Sequence, residues 1–418
     1  MSPAVPEDGA GHEPGERTRR WTFLVPSAYA AGGIARTVFT TAGALAERGC
    51  DVRVITLVRN TAEPKFRLPP GVRLIPLQDR FDPAHPDTPR PAPRHDRKAK
   101  RAVRELDKQP SQLASWTKQT FTAYVDQLLE EQLRGLPPGV VVSTRPEFAV
   151  AASRWSHPDS ILLHQEHLSF VPRPEPLRAA LRDIATGAGG HRPLDALLAL
   201  TEADLERWRE YVDDPSVRTD AIPNPTPFSV GEPAPLTNKL VIAAGRLTAQ
   251  KGFNRLVAAW KPLARSHPDW QVRIYGDGPL REQLDTQIAN AGVGDRVLMA
   301  GVTDEFEAEL AASSIYAMSS RYEGLPMVLI ESMSKGVPPV SFDCPEGPRQ
   351  LIESEVNGLL VPEGDVAALT EGLRRLMDDH DLRLRMGARA LETARGFEVG
   401  AVVDRWVALA EEVDRARR

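Results

Sequence analysis

Short apolar runs recur along the chain and alternate with segments of helical periodicity. The runs of the first half span four to seven residues and are apolar at nearly every position, which is typical of parallel strands buried on both faces. Because helical segments separate the strands, the pattern predicts a doubly wound parallel sheet with right-handed crossovers. The predicted strands of the first half are Trp21–Pro26, Val52–Val58, Val72–Leu77, Val140–Ser143, Ser160–Leu163 and Ala196–Leu200.

The same pattern restarts in the second half. Between the halves, residues 222–235 contain five prolines, and such a run cannot continue a helix or a central strand. We therefore expect an α/β fold of two Rossmann-like doubly wound parallel-sheet domains, residues 21–225 and 236–397, with a linker at this stretch. The predicted strands of the second half are Leu240–Ala244, Gln271–Tyr275, Val297–Met299, Ile315–Met318, Pro339–Phe342 and Gly358–Val361.

Composition narrows the class of protein. A chain of 418 residues fits two or three domains, and 26% charged residues with 41% apolar residues is ordinary for a globular enzyme. A net charge of -5 argues against a general nucleic-acid binder, which would be basic. The two cysteines, Cys50 and Cys344, are too few for a disulfide framework, so we expect a cytoplasmic protein. Residues 1–20 are polar and are expected to form a disordered leader rather than a secretion signal.

One segment of the second half, Arg321–Gly336, combines a turn, a helix and two carboxylates. It follows a buried strand; Gly324 permits a tight turn, and Pro326 suits the first position of the helix. A turn from strand to helix points free N–H groups at one place, which suits a phosphate. Glu323 and Glu331 flank this place and would repel an anion, so sugar hydroxyls are their natural partners. The segment therefore favours a ligand with phosphate in the middle and hydroxyls at both ends.

Two basic residues follow another predicted strand of the second half. Arg246 and Lys251 lie five positions apart in the loop GRLTAQKG, where a guanidinium fork and an ammonium group could neutralise a diphosphate. An isolated pair of this kind usually serves surface solubility, but the flanking glycines and the later acidic pair favour the binding role. Gly276 and Gly278, in the turn GDGP after the next strand, would allow backbone to approach a ligand closely.

The first half has two weaker features at strand ends. Gly32 and Gly33 open a helix beyond the first strand, where parallel sheets bind ligands, although a tight turn alone would also explain them. His164 and His167 follow a later strand; they lack further metal ligands at a useful spacing, so no metal site is expected. Either histidine could donate a hydrogen bond to a substrate oxygen, and structural duty for one of them is equally compatible with the sequence.

The segment between these features is harder to interpret. Residues 79–94 are rich in proline, and the basic stretch at residues 94–104 is read as a solvated helix face, with contact to an anionic acceptor or to a membrane surface as the alternative. Helical character follows over Gln112–Leu133.

Together these residues resemble the retaining family-4 glycosyltransferases of the GT-B fold, also called glycosyl transferases group 1. The resemblance extends over nearly the whole chain from about Trp21 and is diffuse between about residues 79 and 135. Seven residues separate the two glutamates, and this spacing is specific in combination with the basic loop upstream. The resemblance rests on Gly32, Gly33, Arg246, Lys251, the GDGP turn, Glu323 and Glu331.

The resemblance implies two domains that face a cleft, with the acceptor on the first and the nucleotide-sugar on the second. It implies that the last helix, predicted over Phe397–Val413, packs back onto the first domain, so residues 398–418 are assigned there. The loop Asp343–Arg349 resembles that of members acting on polysaccharide or teichoic acid.

The resemblance also implies roles for single residues. Arg246 and Lys251 would contact the donor diphosphate, and Glu331 would bind the ribose hydroxyls. Glu323 would lie at the donor sugar, beside the backbone of Gly324 and Leu325. His167 is the preferred active-site histidine, and His164 is kept in reserve.

The expected function is therefore retaining transfer of a hexose-type sugar to a hydroxyl of a saccharide, a polymer or a small molecule. The donor would be a nucleotide-sugar, with a uridine nucleotide expected from the family, and no metal or cofactor would be required. Contact with the inner face of a membrane stays an option.

Three alternatives remain open at the level of sequence. A non-hydrolysing nucleotide-sugar epimerase shares the architecture, and a non-catalytic nucleotide-sugar-binding partner subunit is a second reading. A NAD-dependent oxidoreductase would need a full GxGxxG turn, whereas the first turn offers only Gly32 and Gly33.

Overall fold

The computed structural model describes residues 16–30, 32–81, 97–113, 121–171, 173–345 and 347–418. Strands and helices alternate through both halves of this part of the chain. The strands are β1 Arg20–Val25, β2 Asp51–Arg59, β3 Val72–Asp79, β4 Val140–Ser143, β5 Ile161–Gln165, β6 Ala196–Ala199, β7 Thr219–Ala221, β8 Leu240–Ala244, β9 Gln271–Tyr275, β10 Val297–Gly301, β11 Ile315–Met318, β12 Pro339–Asp343 and β13 Leu359–Pro362. The helices are α1 Gly33–Glu47, α2 Arg97–Lys108, α3 Ala123–Arg134, α4 Pro146–Trp155, α5 Glu175–Thr186, α6 Glu202–Val212, α7 Phe253–Ser266, α8 Arg281–Ala291, α9 Phe306–Ala311, α10 Met327–Met333, α11 Val366–Asp378, α12 His380–Arg395 and α13 Val399–Ala416.

The strands form two separate parallel sheets. The first has the order β3-β2-β1-β4-β5-β6-β7, and the second has the order β10-β9-β8-β11-β12-β13. In each sheet the chain first winds outward in one direction and then returns to continue on the other side of the starting strand. This arrangement confirms the predicted fold class of two Rossmann-like doubly wound parallel sheets.

The chain divides into two compact units, one around each sheet. The first unit combines the described chain up to Ala199 with Leu205–Ile222 and Val403–Arg418, and the second contains Leu200–Asp204 and Pro223–Val402. The division after Ile222 falls at the start of the proline-rich stretch, where a backbone without N–H donors cannot join either sheet.

The end of the chain contributes to the core of the first unit. Trp406 of α13 meets the rings of Trp21 and Phe23 of β1 edge-on, with ring centroids 6.2 Å and 6.4 Å apart. All three side chains are buried. Large aromatic side chains dominate the energy of a core, so this cluster joins α13 firmly to the first sheet.

In the second unit, the helix after the basic loop packs as its apolar spacing predicts. The stripe of α7 points into a core that also contains residues of β8, β9, β11 and β12. Its members are Phe253, Leu256, Val257 and Trp260, all buried. This packing fixes α7, and with it the loop that precedes the helix.

Some elements differ from the sequence-based expectation. The helix predicted over Gln112–Leu133 begins only at Ala123, with residues 114–120 outside the described part. Before that gap, Ser111 and the backbone N–H of Gln112 bind the carboxylate of Asp126 at 2.6 Å and 2.7 Å. The buried carboxylate of Asp126 thus holds the backbone at Ser111 and Gln112 in a non-helical conformation.

Differences also occur at the start of the chain and in the basic stretch. The leader was predicted through residue 20, but Arg17–Arg19 form a 3-10 turn and β1 begins at Arg20. Residues 1–15 lie outside the described part, as do residues 82–96 of the proline-rich stretch and the start of the basic one. Residues 97–104 of the basic stretch lie in α2, which is helical as predicted.

Candidate active site

The candidate site of the second unit lies where the strand order of its sheet reverses. β8 and β11 are neighbours there, although three helices and two strands separate them along the chain. Loops that leave the carboxyl ends of two such strands diverge, and open α/β sheets bind ligands in the resulting crevice. The loop after β8 carries Arg246 and Lys251, and the loop after β11 carries Glu323.

Hydrogen bonds join the end of the loop after β8 to the start of the loop after β11. The backbone N–H of Arg321 donates to the carbonyl of Gln250 at 2.8 Å, and the Gln250 side chain donates to the carbonyl of Tyr322 at 3.1 Å. The hydroxyl of Ser319 donates to the carbonyl of Lys251 at 2.9 Å. Two turns that are about seventy residues apart in sequence therefore form one surface.

Glycines allow the turns to approach this closely. Gly252 has a φ of +61°, and a Cβ there would lie 2.2 Å from the carbonyl oxygen of Ser319. Gly276 has a φ of +134°, and a Cβ there would lie 2.0 Å from the carbonyl oxygen of Gly245. Gly278 makes a similar approach, because its Cβ would lie 2.7 Å from the carbonyl oxygen of Leu247. Gly276 and Gly278, predicted as donor-binding residues, thus pack the turn after β9 against the basic loop.

A buried ion pair occupies the centre of this surface. Lys251 Nζ lies 2.7 Å from Glu323 Oε1, and the Ser320 hydroxyl donates to the same oxygen at 2.5 Å. The Lys251 side chain is 20% exposed and that of Glu323 only 7%. The aliphatic part of Lys251 runs over Gly245, where any side chain would crowd it. An ammonium group carries three N–H donors, so two remain for a ligand.

Arg246 lies on the same loop but faces solvent. Its side chain is exposed, and its guanidinium contacts no partner within the described residues. An unengaged guanidinium keeps its full capacity for a bidentate contact with phosphate oxygens. The loop therefore carries one cation held in an ion pair and one cation without a partner among the described residues.

Tyr316 of β11 lies beneath the site and links it to both carboxylates. Its hydroxyl accepts from the backbone N–H of Ala244 at 3.2 Å and lies 3.3 Å from the Ala244 carbonyl. Burial raises the pKa of Tyr316, and the negative charges of Glu331 and Glu323 raise it further. Both glutamates therefore lie within electrostatic range of one hydroxyl, and Glu331 is 3% exposed. That both carboxylates serve one ligand stays a prediction.

The helix after Glu323 differs from the prediction. Pro326 was expected as the first helical residue, but it is extended and precedes α10, which begins at Met327 and has only seven residues. So short a helix sums few peptide dipoles, and the side-chain cations must supply most of the positive charge. Gly324 and Leu325 are half-buried beside Glu323. Gly347 of the loop Asp343–Arg349 packs on Gly324, where its Cβ would lie 2.1 Å from the carbonyl oxygen.

The predicted residues of the first half lie at the carboxyl edge of the first sheet. Gly32 and Gly33 follow β1 and are exposed, and a Cβ on either would contact nothing within 4 Å. Gly32 has an extended φ of -175°, which any residue adopts. The tight turn that sequence alone left open as an explanation is therefore not required. Neither glycine is needed by the fold around it.

The two histidines have different surroundings. His164 is buried, with Nδ1 2.8 Å from the Ser143 hydroxyl and Nε2 3.0 Å from Glu166 Oε1. Glu166 also forms an ion pair with Arg173. His167 is half-buried, and its Nε2 is shielded without a hydrogen-bond partner in the described part of the chain. Burial lowers the pKa of His167 to about 3, and the charges of His164 and Arg173 add to this effect.

His164 therefore has structural partners, whereas His167 keeps a neutral imidazole with a free nitrogen. Because Nε2 of His167 is shielded, this difference does not decide which histidine contacts a ligand, and the preference for His167 stays a prediction. Glu166 and Arg173 were not predicted, because their pairing depends on a loop that the apolar pattern does not specify. Ser319, Ser320 and Tyr316 were also missed, since single hydroxyls after a strand carry no distinctive signal.

None of the described helices is both long and apolar enough to cross a bilayer. Within the same ranges, no group of three or more His, Cys, Asp or Glu side chains has an arrangement that could hold a metal ion.

The two doubly wound sheets define the class of fold, which is GT-B. A sucrose-phosphate synthase from Thermosynechococcus elongatus has the same fold, with a TM-score of 0.71 and 20% identity over 95% of this chain and 99% of that chain. TarM from S. aureus, crystallised with fondaparinux, alpha-GlcNAc-glycerol and UDP, matches with a TM-score of 0.70 and 12% identity over 94% of this chain and 99% of that chain.

Sequence comparison adds a family match within this fold. Residues 228–393, which include the basic loop and both glutamates, match the model for glycosyl transferases group 1. An exopolysaccharide phosphotransferase of Streptomyces coelicolor is 31% identical over 402 residues, which are 94% of this chain. The chain spans only 40% of the length of that relative.

Proposed function

We propose that this protein is a retaining glycosyltransferase of family 4 that uses a nucleotide-sugar donor. The observation that carries the proposal is the ion pair of Lys251 and Glu323 at the strand-order reversal of the second sheet, with Arg246 on the same loop as Lys251. Two cations next to a carboxylate match a ligand in which a diphosphate adjoins a sugar. The family match over residues 228–393 covers the same residues and supports the proposal.

In this proposal the donor lies along the loops after β8 and β11. Arg246 and Lys251 bind the diphosphate, and Glu323 accepts hydrogen bonds from the donor sugar. Glu331 accepts from the ribose hydroxyls. UDP is the proposed nucleotide, since solved structures of the same fold include TarM with UDP.

The barrier to the reaction is departure of the nucleoside diphosphate from the anomeric carbon. The bond from that carbon to the diphosphate oxygen breaks, and a bond to the acceptor hydroxyl oxygen forms on the same face. The hydroxyl proton passes to the departing phosphate oxygen, and the configuration is retained. Arg246 and Lys251 stabilise the negative charge that develops on the leaving group, which is the largest electrostatic contribution available here. We propose that these side chains make a divalent metal unnecessary.

The acceptor is assigned to the first unit, and its class is a saccharide, a polymer or a small molecule with a free hydroxyl. Gly32 and Gly33 are exposed without a structural need for glycine, which supports a close approach of backbone to a ligand. His167 has a neutral imidazole with a free nitrogen and is proposed to bind a substrate oxygen. We also propose that the protein is cytoplasmic and contacts a membrane surface.

The test is incubation of the purified protein with a panel of nucleotide-sugars and simple sugar acceptors, in EDTA. We expect release of UDP from one donor, and an α-linked product from an α-linked donor by NMR. Release of UMP would indicate transfer of a sugar phosphate, the type of activity named for the Streptomyces relative. An epimerised donor would indicate an epimerase. Either result, or no turnover of any donor, contradicts the proposal.

A further inference from the structure

Ser320 lies directly beyond β11 and contacts the carboxylate at the centre of the candidate site. Its hydroxyl donates to Glu323 Oε1, and the residue is 2% exposed. The preceding Ser319 binds the other loop instead, through the carbonyl of Lys251. Two successive serines thus bind the two members of the ion pair. Ser320 binds the carboxylate of Glu323, and Ser319 binds the backbone of Lys251.

The two hydrogen bonds to Glu323 leave one carboxylate oxygen available. Lys251 Nζ and the Ser320 hydroxyl both bind Oε1, and no described residue donates to Oε2. Among the described residues, Oε2 is thus the oxygen of this carboxylate that has no hydrogen-bond partner. Glu323 is otherwise almost completely buried. The carboxylate is therefore fixed on one side and presents the other.

We propose that Ser320 is a positioning residue that fixes Glu323 for recognition of the donor sugar. This inference rests on the proposed function, because it assigns the sugar to Glu323 and the diphosphate to Lys251. When a diphosphate binds, it shares the ammonium group of Lys251 with Glu323. The Ser320 hydroxyl is not shared in this way and keeps the carboxylate in place, so that Oε2 accepts from hydroxyls of the sugar.

If Ser320 positions Glu323 for the sugar, its substitution should weaken binding of the nucleotide-sugar but not of UDP. A general structural role for Ser320 would not predict this difference. UDP contacts the cations but has no sugar next to Glu323, whereas an intact nucleotide-sugar contacts both. Ser320→Ala should therefore weaken the nucleotide-sugar by about 10-fold, as expected for a lost hydrogen bond to a charged group. The affinity for UDP should change less than about twofold. In turnover, the KM for the donor should rise more than kcat falls.

The probes are UDP, UDP-glucose, UDP-galactose, UDP-GlcNAc and GDP-mannose, titrated calorimetrically into wild type and variants. The nucleotide-sugar that binds wild type most tightly is compared with its own nucleoside diphosphate. Ser320→Thr keeps the hydroxyl and should restore most of the affinity. Ser332→Ala is the matched control, because Ser332 is equally buried on the adjacent α10 but donates only to the carbonyl of Leu329.

The outcomes separate the inference from the function on which it rests. If wild type binds none of the five probes, the proposed function is wrong and the inference fails with it. If wild type binds but Ser320→Ala keeps full affinity for the nucleotide-sugar, or loses UDP and nucleotide-sugar equally, only the role of Ser320 is wrong. Selective loss of the nucleotide-sugar, with Ser332→Ala unchanged, supports the inference.

Discussion

Lys251 makes contacts with three parts of the site, and its environment explains why a lysine suits this position. Its stem crosses Gly245, its carbonyl accepts from Ser319, and its ammonium group reaches Glu323. The ammonium group is a compact charge with more than one free donor, so it can meet a phosphate oxygen next to the carboxylate.

Replacing Lys251 should therefore impair catalysis without unfolding the protein. We expect Lys251→Ala to lower kcat by about 10²–10³, the usual cost of removing one preorganised donor to a developing anion. The measurement is initial-rate kinetics with the donor found in the panel. Lys261→Ala on α7 is the matched control, because that lysine is exposed and outside the site. Near wild-type turnover by Lys251→Ala would remove the residue from the mechanism.

His167 should make the folded protein sensitive to mild acid. Its folded pKa of about 3 lies below the ordinary value of 6.5, so the unfolded chain takes up this proton first as the pH falls. Its contribution to stability is complete above about pH 7 and decreases toward pH 3. Between pH 7 and pH 5, wild type should lose up to about 2 kcal/mol more unfolding free energy than His167→Gln.

This difference is measured by urea unfolding at several pH values. Parallel pH dependence of the two proteins would show that the His167 imidazole is not held neutral. In that case the free nitrogen assigned to ligand contact would have to be reconsidered as a charged donor.

At the scale of single elements, glycines that the packing of a turn requires can be distinguished from glycines that are proposed to contact a ligand. Gly33 begins α1 in open space, whereas Gly276 has positive φ and touches the backbone of Gly245. Gly33→Ala should leave the melting temperature unchanged or slightly raised, since alanine favours a helix by about 1 kcal/mol over glycine. It should still lower activity if a ligand approaches the backbone there.

Gly276→Ala should do the opposite and lower stability clearly, by about 2 kcal/mol or more, because the clash is with backbone. Gly292→Ala is its control, with positive φ but nothing within 4 Å of the added Cβ. Thermal unfolding and turnover of the three variants give the comparison. Loss of stability in Gly33→Ala, or none in Gly276→Ala, would contradict the roles given to these turns.

The elements also show how far the sequence predicts the structure. Buried strands such as β4, β8 and β11 have the predicted bounds, because a strand buried on both faces is apolar at nearly every position. The start of α3 was missed, since tertiary hydrogen bonds to Asp126 decide it. The three-residue strand β7 was also missed, because so short a run carries too little pattern.

The candidate site likewise has features that the sequence pattern indicates and features that only tertiary contacts reveal. Glu323 and Glu331 were selected from the spacing of their motif, and their roles toward a ligand stay predictions. The bond from Ser320 to Glu323 could not be predicted, because Ser-Ser after a strand occurs for many reasons. The role of Gly276 was predicted as ligand contact, and its observed contact with Gly245 only becomes visible when two loops distant in sequence are brought together.

At the scale of the whole molecule, the end of the chain completes the first unit. Trp406 packs against Trp21 and Phe23, so the first unit is incomplete without residues that follow the second one in sequence. Trp406→Ala should destabilise the first unit by about 3–5 kcal/mol, the usual cost of removing a buried tryptophan. Trp406→Phe keeps an aromatic ring and should cost clearly less.

Urea unfolding followed by tryptophan fluorescence measures this effect. The binding of UDP, which the proposal assigns to the second unit, should survive conditions that unfold only the first. A change below about 1 kcal/mol in Trp406→Ala would mean that the helix end adds little to the first core.

The proposal as a whole depends on a diphosphate held by Arg246 and Lys251. Calorimetric titration of UDP into wild type and the double variant Arg246→Ala/Lys251→Ala tests this, with Lys239→Ala/Lys261→Ala as the charge-matched control. We expect the first double variant to bind UDP at least about 100-fold more weakly, since two charge-assisted contacts are lost, and the control to bind like wild type. Equal affinity of both double variants for UDP would contradict the proposal.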